Sequence, residues 1–107
     1  MIINGNLDLQ YSNIKSLGKI TEVKGYLDLH DSSIESFGEL KIVHGDLYLR
    51  NCKNLKDLGK LEIVGTENIS EDDIDDIISL EGSGITSDYI MKNKPWLRSN
   101  CDFGYDD

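Results

Sequence analysis

From its first residues the sequence repeats about every 20 positions, and a period of that length restricts the chain to a stacked architecture in which neighbouring units bury one another. Gly5 opens GNLDLQYSNIKSLGKITEVK, Gly25 opens GYLDLHDSSIESFGELKIVH and Gly45 opens GDLYLRNCKNLKDLGKLEIVG. Superimposing these units aligns six apolar columns. Two are Leu7, Leu27, Leu47 and Leu9, Leu29, Leu49. The next three are Ile14, Ile34, Leu55, then Leu17, Phe37, Leu58, then Ile20, Leu40, Leu61. Ile3, Val23, Val43 and Val64 form the sixth. The third unit carries one extra residue before Leu55.

Leu-x-Leu is a period-two strand with both leucines on one face. One such strand cannot bury its apolar face alone. Stacking units about 4.8 Å apart sets like residues on like and makes a parallel sheet along the stack. Gly18, Gly38 and Gly59 each follow an apolar column, at a turn where positive φ or close backbone approach is expected. Hydrophobic content is 38%, which suits a thin stack with much surface. The fold class expected is a β-rich solenoid of three to four coils.

A fourth unit is legible in Ile78-Ser-Leu-Glu-Gly-Ser-Gly-Ile-Thr-Ser87, which aligns with Leu27-Asp-Leu-His-Asp-Ser-Ser-Ile-Glu-Ser36. Ile78 and Leu80 then take strand positions, after an acidic helix at 70–76. The alternative is one helix over Glu71–Leu80, capped by Ser70. Residues Ser87 to Asn93 read as a short helix ended by Pro95, with Trp96 and Leu97 folding back over the last coil as a cap. The domain plan expected is three tandem repeats over 1–65, an acidic insertion with a fourth coil and cap over 66–97, and an acidic mobile tail over 98–107.

The pattern V-x-G-x-L-x-L-x-x-x-x-I-x-x-L-x-x-L, firm over residues 3–64 and loose over 74–91, resembles leucine-rich-repeat solenoids. It is most similar to the short glycine-opened units of receptor L-domain-like repeats, and similar units occur in small bacterial and bacteriophage proteins. The resemblance implies a parallel sheet and a protein-binding role, and it brings no shared catalytic residues. One departure stands out: Ser12, Ser32 and Cys52 occupy the position where such repeats commonly place a ladder-forming Asn.

Charge is unevenly spread. The chain carries a formal net charge of −9. Residues 1–69 are close to neutral and residues 70–107 strongly acidic, with Glu71, Asp72, Asp73, Asp75 and Asp76 the densest run. Such a surface repels nucleic acid and membrane phosphates, so neither is expected as a direct partner. It attracts basic proteins, including enzymes that bind nucleic acid. A phage-type inhibitor of a host defence enzyme is the function this suggests, with homodimerisation through the N-terminal coil as the alternative. No apolar run of about 18 residues is present to span a membrane. With no basic n-region or apolar h-region at the start, a cytoplasmic location is expected. Cys52 and Cys101 show no zinc spacing and read as free thiols.

The outward face of the strands supplies the candidate partner-binding residues. One column is Asn6, Tyr26, Asp46, the next Asp8, Asp28, Tyr48, and the third Gln10, His30, Arg50. Tyr and Arg are enriched where interfaces gain their energy. No metal, cofactor or catalytic motif is found: GxSxG, P-loop, HExxH and GxGxxG are all absent. Asp28 and His30 would do acid–base work only in a cleft, and a flat repeat face is expected to offer none.

Overall fold

The computed structural model describes residues 1–65 and 78–103. Each unit contributes two short strands separated by a bend. Unit 1 has β1 (Ile2–Ile3) and β2 (Leu7–Asp8), unit 2 has β3 (Glu22–Val23) and β4 (Leu27–Asp28), and unit 3 has β5 (Ile42–Val43) and β6 (Leu47–Tyr48). A fourth unit follows with β7 (Ile63–Val64) and β8 (Ile78–Ser79). The first strands of the units form one parallel sheet, β1-β3-β5-β7, here sheet 1. The second strands form sheet 2, β2-β4-β6-β8, which is completed by β9 (Cys101–Asp102). The result is a β-rich repeat fold.

The register sets the apolar columns in line: Leu7 opposite Leu27, Leu27 opposite Leu47, and Leu47 opposite Ile78. Val23, Val43 and Val64 align in the same way. In units 2 and 3 every residue of the six columns up to Leu61 is fully buried, Phe37 among them. The extra residue of unit 3 falls in a turn at Lys53–Asn54, so Ile42 still meets Ile63. Ile78 and Leu80 occupy strand positions, and Ile85 is buried. That is the fourth-strand reading, and one helix through Leu80 is excluded because Ile78–Ser79 is strand. The proposed acidic helix at 70–76 lies outside the described residues.

Turns between columns follow from short polar side chains. Ser16 and Ser36 Oγ accept hydrogen bonds from Gly18 and Gly38 N–H at 3.0 Å, and Asp57 Oδ1 accepts from Gly59 N–H at 2.9 Å. These local bonds hold the turn, and the glycines then take φ of +57°, +58° and +56°. The position that resembles an Asn ladder is a mixed thiol–hydroxyl column. Cys52 Sγ donates to the Leu29 carbonyl at 2.9 Å, and Ser83 Oγ accepts from Ile85 N–H at 3.2 Å. Ser12 Oγ is buried with no partner among the described residues.

The C-terminal end is closed. Helix α1 (Ser87–Asn93) starts at Thr86, whose hydroxyl accepts from Tyr89 N–H at 3.1 Å, and it buries Ile90. Tyr89 OH accepts from Leu58 N–H at 2.9 Å, which ties the helix to unit 3. Beyond Lys94 the chain does not stop at Pro95 but continues as a 3-10 turn, Pro95–Asn100, which packs against β7. Leu97 is buried as expected of a cap. Trp96 instead stays 55% exposed, with its ring N–H on the Glu62 carbonyl at 2.7 Å and the Lys94 ammonium 5.6 Å from its ring. Cys101 and Asp102, placed by sequence in a mobile tail, form β9 and pair with Ile78 and Ser79. The 3-10 turn reverses the chain and delivers Cys101 and Phe103 to the core.

Two columns of alternating charge, Lys15, Glu35, Lys56 and Lys19, Glu39, Lys60, lie on the surface. Lys15 and Glu35 lie 3.7 Å apart and Lys60 and Glu39 2.7 Å apart, all more than half exposed. Such pairs add little to stability.

Gly38 and Gly59 share nearly the same φ but differ in space. A Cβ at Gly38 would sit 2.5 Å from the Gly18 carbonyl oxygen, whereas at Gly59 its nearest neighbour is 3.8 Å away. Gly59→Ala is therefore expected to cost only the left-handed strain, about 1 kcal/mol. Gly38→Ala is expected to cost about 2 kcal/mol or more, because backbone must also move. Urea denaturation of both variants checks the ranking.

Candidate functional site

The pleat that turns the leucines inward turns the intervening residues outward on sheet 2. Because register is parallel and like on like, three outward columns stand side by side, as the strand spacing requires. Tyr26, Asp28, His30, Asp46 and Tyr48 are half-buried on this face, and Arg50 is exposed. All six residues named from the sequence on β4, β6 and their flanks share this surface. Glu71, Asp72, Asp73, Asp75 and Asp76 lie outside the described residues.

Asp8 and Asp28 face each other as neighbours in register. Each carboxylate has its own local donors, which offsets the repulsion. Asp8 accepts from the Gln10 backbone at 3.2 Å and the Gln10 side-chain amide at 2.9 Å. Asp28 Oδ1 accepts from the His30 backbone N–H at 3.1 Å and lies 2.6 Å from His30 Nδ1. The His30 ring meets Tyr11 edge to face at 5.0 Å between centroids. Tyr26 and Tyr48 form a second edge-to-face pair at 6.1 Å. Arg50 Nε reaches Glu81 at 3.5 Å, with both side chains about half exposed.

A flat face was expected, yet the structure has a hollow of about 340 Å³ lined by Asp28, His30, Tyr48, Arg50 and Ser79. It arises from side-chain size: Ser79 follows Tyr48 in its column, so a short side chain sits beside a long one. The hollow presents a guanidinium, an imidazole bound to a carboxylate, a phenol and a hydroxyl. Among the described residues no hydroxyl or thiol hydrogen-bonds the His30 ring, whose Nδ1 lies on Asp28 Oδ1. No group of three or more metal-ligating side chains occurs among the described residues.

Sequence reasoning passed over three participants. Ser79 and Glu81 were within reach, since the fourth unit was aligned but its outward columns were not extended. Tyr11 belongs to the turn column with Asp31 and Asn51, all three at positive φ (60°, 58° and 61°). Its contact with His30 depends on that turn, and Leu-x-Leu spacing carries no trace of it. His44, directly after β5, reaches back one unit to Glu22 at 2.6 Å.

Tyr48 donates to Asp46 Oδ2 at 2.8 Å. That bond, with burial and the Asp46 charge behind it, holds the phenol proton and pushes its pKa up to about 12 from 10.0. The native state keeps this proton more tightly than the unfolded chain does. The contribution to stability is therefore complete below pH 10 and is lost as pH rises through about 12. Asp46→Ala is expected to bring the Tyr48 titration back toward the ordinary tyrosine range, read from phenolate ultraviolet absorbance. A Tyr48→Phe control identifies which of the tyrosine titrations moves.

No curated protein and no solved structure matches the chain. The family model for the receptor L domain matches residues 1–81, a span that takes in units 1 to 3, both strands of unit 4 and the residues that line the hollow. The repeating glycine-opened units, the two parallel sheets and this match agree: the chain belongs to the receptor L domain family.

Proposed function

We propose that the chain is a non-enzymatic protein-binding module that meets its partner with the outward face of sheet 2. The observation that carries this reading is the hollow among Asp28, His30, Tyr48, Arg50 and Ser79, flanked by the Tyr26–Tyr48 pair. Tyr and Arg are the side chains that most often dominate binding energy, and they do so when set in a recess that excludes water. Family membership supports the reading, because a receptor L domain is a binding unit rather than a catalytic one. The repeat geometry fits a short leucine-rich-repeat-like solenoid, a fold whose exposed sheet commonly serves as a docking surface.

The partner that suits a chain of charge −9 is basic. On this face Asp8, Asp28, Asp46, Glu81 and Asp102 outnumber Arg50 and His30. An enzyme whose cleft ordinarily holds nucleic-acid phosphates has the complementary charge. A phage-type inhibitor of such a host defence enzyme is the narrowest form of the proposal. Both thiols are free, which suits a reducing compartment such as the cytoplasm. Among the described residues, no helix is long and apolar enough to cross a membrane.

The test is capture of a partner from lysate, followed by titration of that purified partner against variants. Tyr48→Ala and Arg50→Ala are each expected to weaken binding at least ~10-fold, the scale of a modest hot spot, with the thermal midpoint retained. Equal affinity in both variants removes this face from the interface. Separately, replacing Glu71, Asp72, Asp73, Asp75 and Asp76 by Asn or Gln should weaken binding most at low salt. Unchanged affinity there removes the electrostatic part.

A further inference from the structure

We infer that Tyr11 and Asp31, side by side on the turn that follows the strands of sheet 2, form a cradle for one basic side chain of the partner, an arginine or a lysine. The inference rests on the sheet 2 reading above and adds a second contact to it.

The first observation is the backbone. After each strand of sheet 2 in units 1 to 4 the chain turns through one residue at positive φ: Tyr11 at 60°, Asp31 at 58°, Asn51 at 61° and Gly82 at 75°. The register imposes this. The N–H groups of Tyr11, Asp31 and Asn51 each donate one unit along, to the carbonyls of His30, Arg50 and Glu81 at 3.0, 2.9 and 2.8 Å. Glycine, Asn and Asp enter this region at low cost, and a bulky tyrosine does not. Burial does not offset the strain, because Tyr11 is 70% exposed. What holds the ring is the edge-to-face contact with His30 at 5.0 Å. Exposure belongs to the turn and not to the end of the stack, since Asp31, with a unit on either side, is exposed as well. A strained, exposed aromatic where Asn would serve the fold better marks a role outside the fold.

The second observation is an unengaged charge beside that ring. Units 1 to 3 hold five aspartates, Asp8, Asp28, Asp31, Asp46 and Asp57. Four are engaged: Asp8 by Gln10, Asp28 by His30, Asp46 by Tyr48 and Asp57 by Gly59. The Asp31 carboxylate has no hydrogen bond or ion pair with a described residue. The parallel register sets it one strand spacing, about 4.8 Å, from Tyr11. A guanidinium or ammonium lying on the tyrosine ring gains from the negative face of the ring and meets the carboxylate at once, whereas an anion there is repelled. His30 touches Tyr11 and also lines the hollow, so the cradle borders the hollow. A partner that fills the hollow brings its flank over this turn, and a basic partner has the matching charge.

The experiment is a nuclear magnetic resonance titration of the full chain, at low salt, with the end-blocked peptide Gly-Arg-Gly and with Gly-Glu-Gly as control. The Tyr11 ring and Asp31 amide signals are expected to move along one saturable curve with the arginine peptide and to stay in place with the glutamate peptide. Tyr11→Asn and Asp31→Asn both suit the turn, and each should weaken the arginine peptide at least ~3-fold, the scale of one exposed cation–π contact or ion pair. Tyr11→Asn should keep or raise the thermal midpoint. Asp88→Asn, on α1, removes the same charge and should leave the curve unchanged. The proposal is overturned by the absence of a saturable shift at Tyr11 and Asp31, by shifts that centre on the run Glu71–Asp76, or by an unchanged curve in both well-folded variants. A lower midpoint in Tyr11→Asn also overturns it, because the ring then serves the fold. The titration uses no partner, so its failure leaves the sheet 2 reading standing, while Tyr48→Ala and Arg50→Ala test that reading separately.

Discussion

Everything in this molecule depends on the unit-to-unit register. A two-residue strand has no independent stability, since ordering its backbone costs more than one or two hydrogen bonds return. Here each interior strand is bonded on both sides only because the chain returns to the same place one unit later. Val23 is covered by Ile3 on one side and Val43 on the other, and Leu27 likewise by Leu7 and Leu47. Any insertion must therefore be absorbed outside the strands, because a slip of one residue would turn the leucines out and the aspartates in. The extra residue of unit 3 sits in a turn for this reason. Between Gly65 and Ile78 the chain departs from the period and then rejoins it, with Ile78 opposite Leu47.

That dependence explains what could be read from sequence. The six columns were legible because the period is itself the fold: residues that align in sequence touch in space. The glycine turns were legible because Ser16, Ser36 and Asp57 stand two residues ahead of Gly18, Gly38 and Gly59, a purely local arrangement. The helix Ser87–Asn93 was legible for the same reason, with Thr86 as its cap. What escaped was non-periodic or dependent on distant residues. β9 pairs Cys101 with Ile78 across a helix and a 3-10 turn, and nothing at Cys101 resembles a Leu-x-Leu strand. Trp96 was expected to fold back over the last coil with Leu97, but it stays exposed and its anchor is a hydrogen bond to the Glu62 carbonyl, a position set by the path of the 3-10 turn. The hollow escaped because it is a difference in side-chain length between adjacent units.

The two ends of the stack obey different rules. Polar atoms of the inward column are satisfied in different ways: Cys52 donates to the Leu29 carbonyl of unit 2, and Ser83 accepts from Ile85 N–H of its own unit. Ser12, at the equivalent point of unit 1, has no partner among the described residues. At the other end, loss of the period permits closure. Once the chain leaves it after Ile85, a helix and a 3-10 turn lay Ile90 and Leu97 over the core.

Repetition and variation within one chain divide its residues by role. Inward positions must match their neighbours above and below, so they repeat as Leu, Leu, Leu or as Ile, Ile, Leu, Ile. Outward positions carry no such constraint, and they differ from unit to unit: Asn6, Tyr26, Asp46 in one column and Gln10, His30, Arg50, Glu81 in another. A charge-balanced solvated face could be made from charges of alternating sign, as the Lys15, Glu35, Lys56 column is. The sheet 2 face is instead irregular on a regular grid, with a tall Tyr48 beside a short Ser79 and a cation beside a bound imidazole. An irregular arrangement at fixed spacing is what shape-specific recognition requires. The rigid register that cannot tolerate variation inside is what holds that variation in place outside.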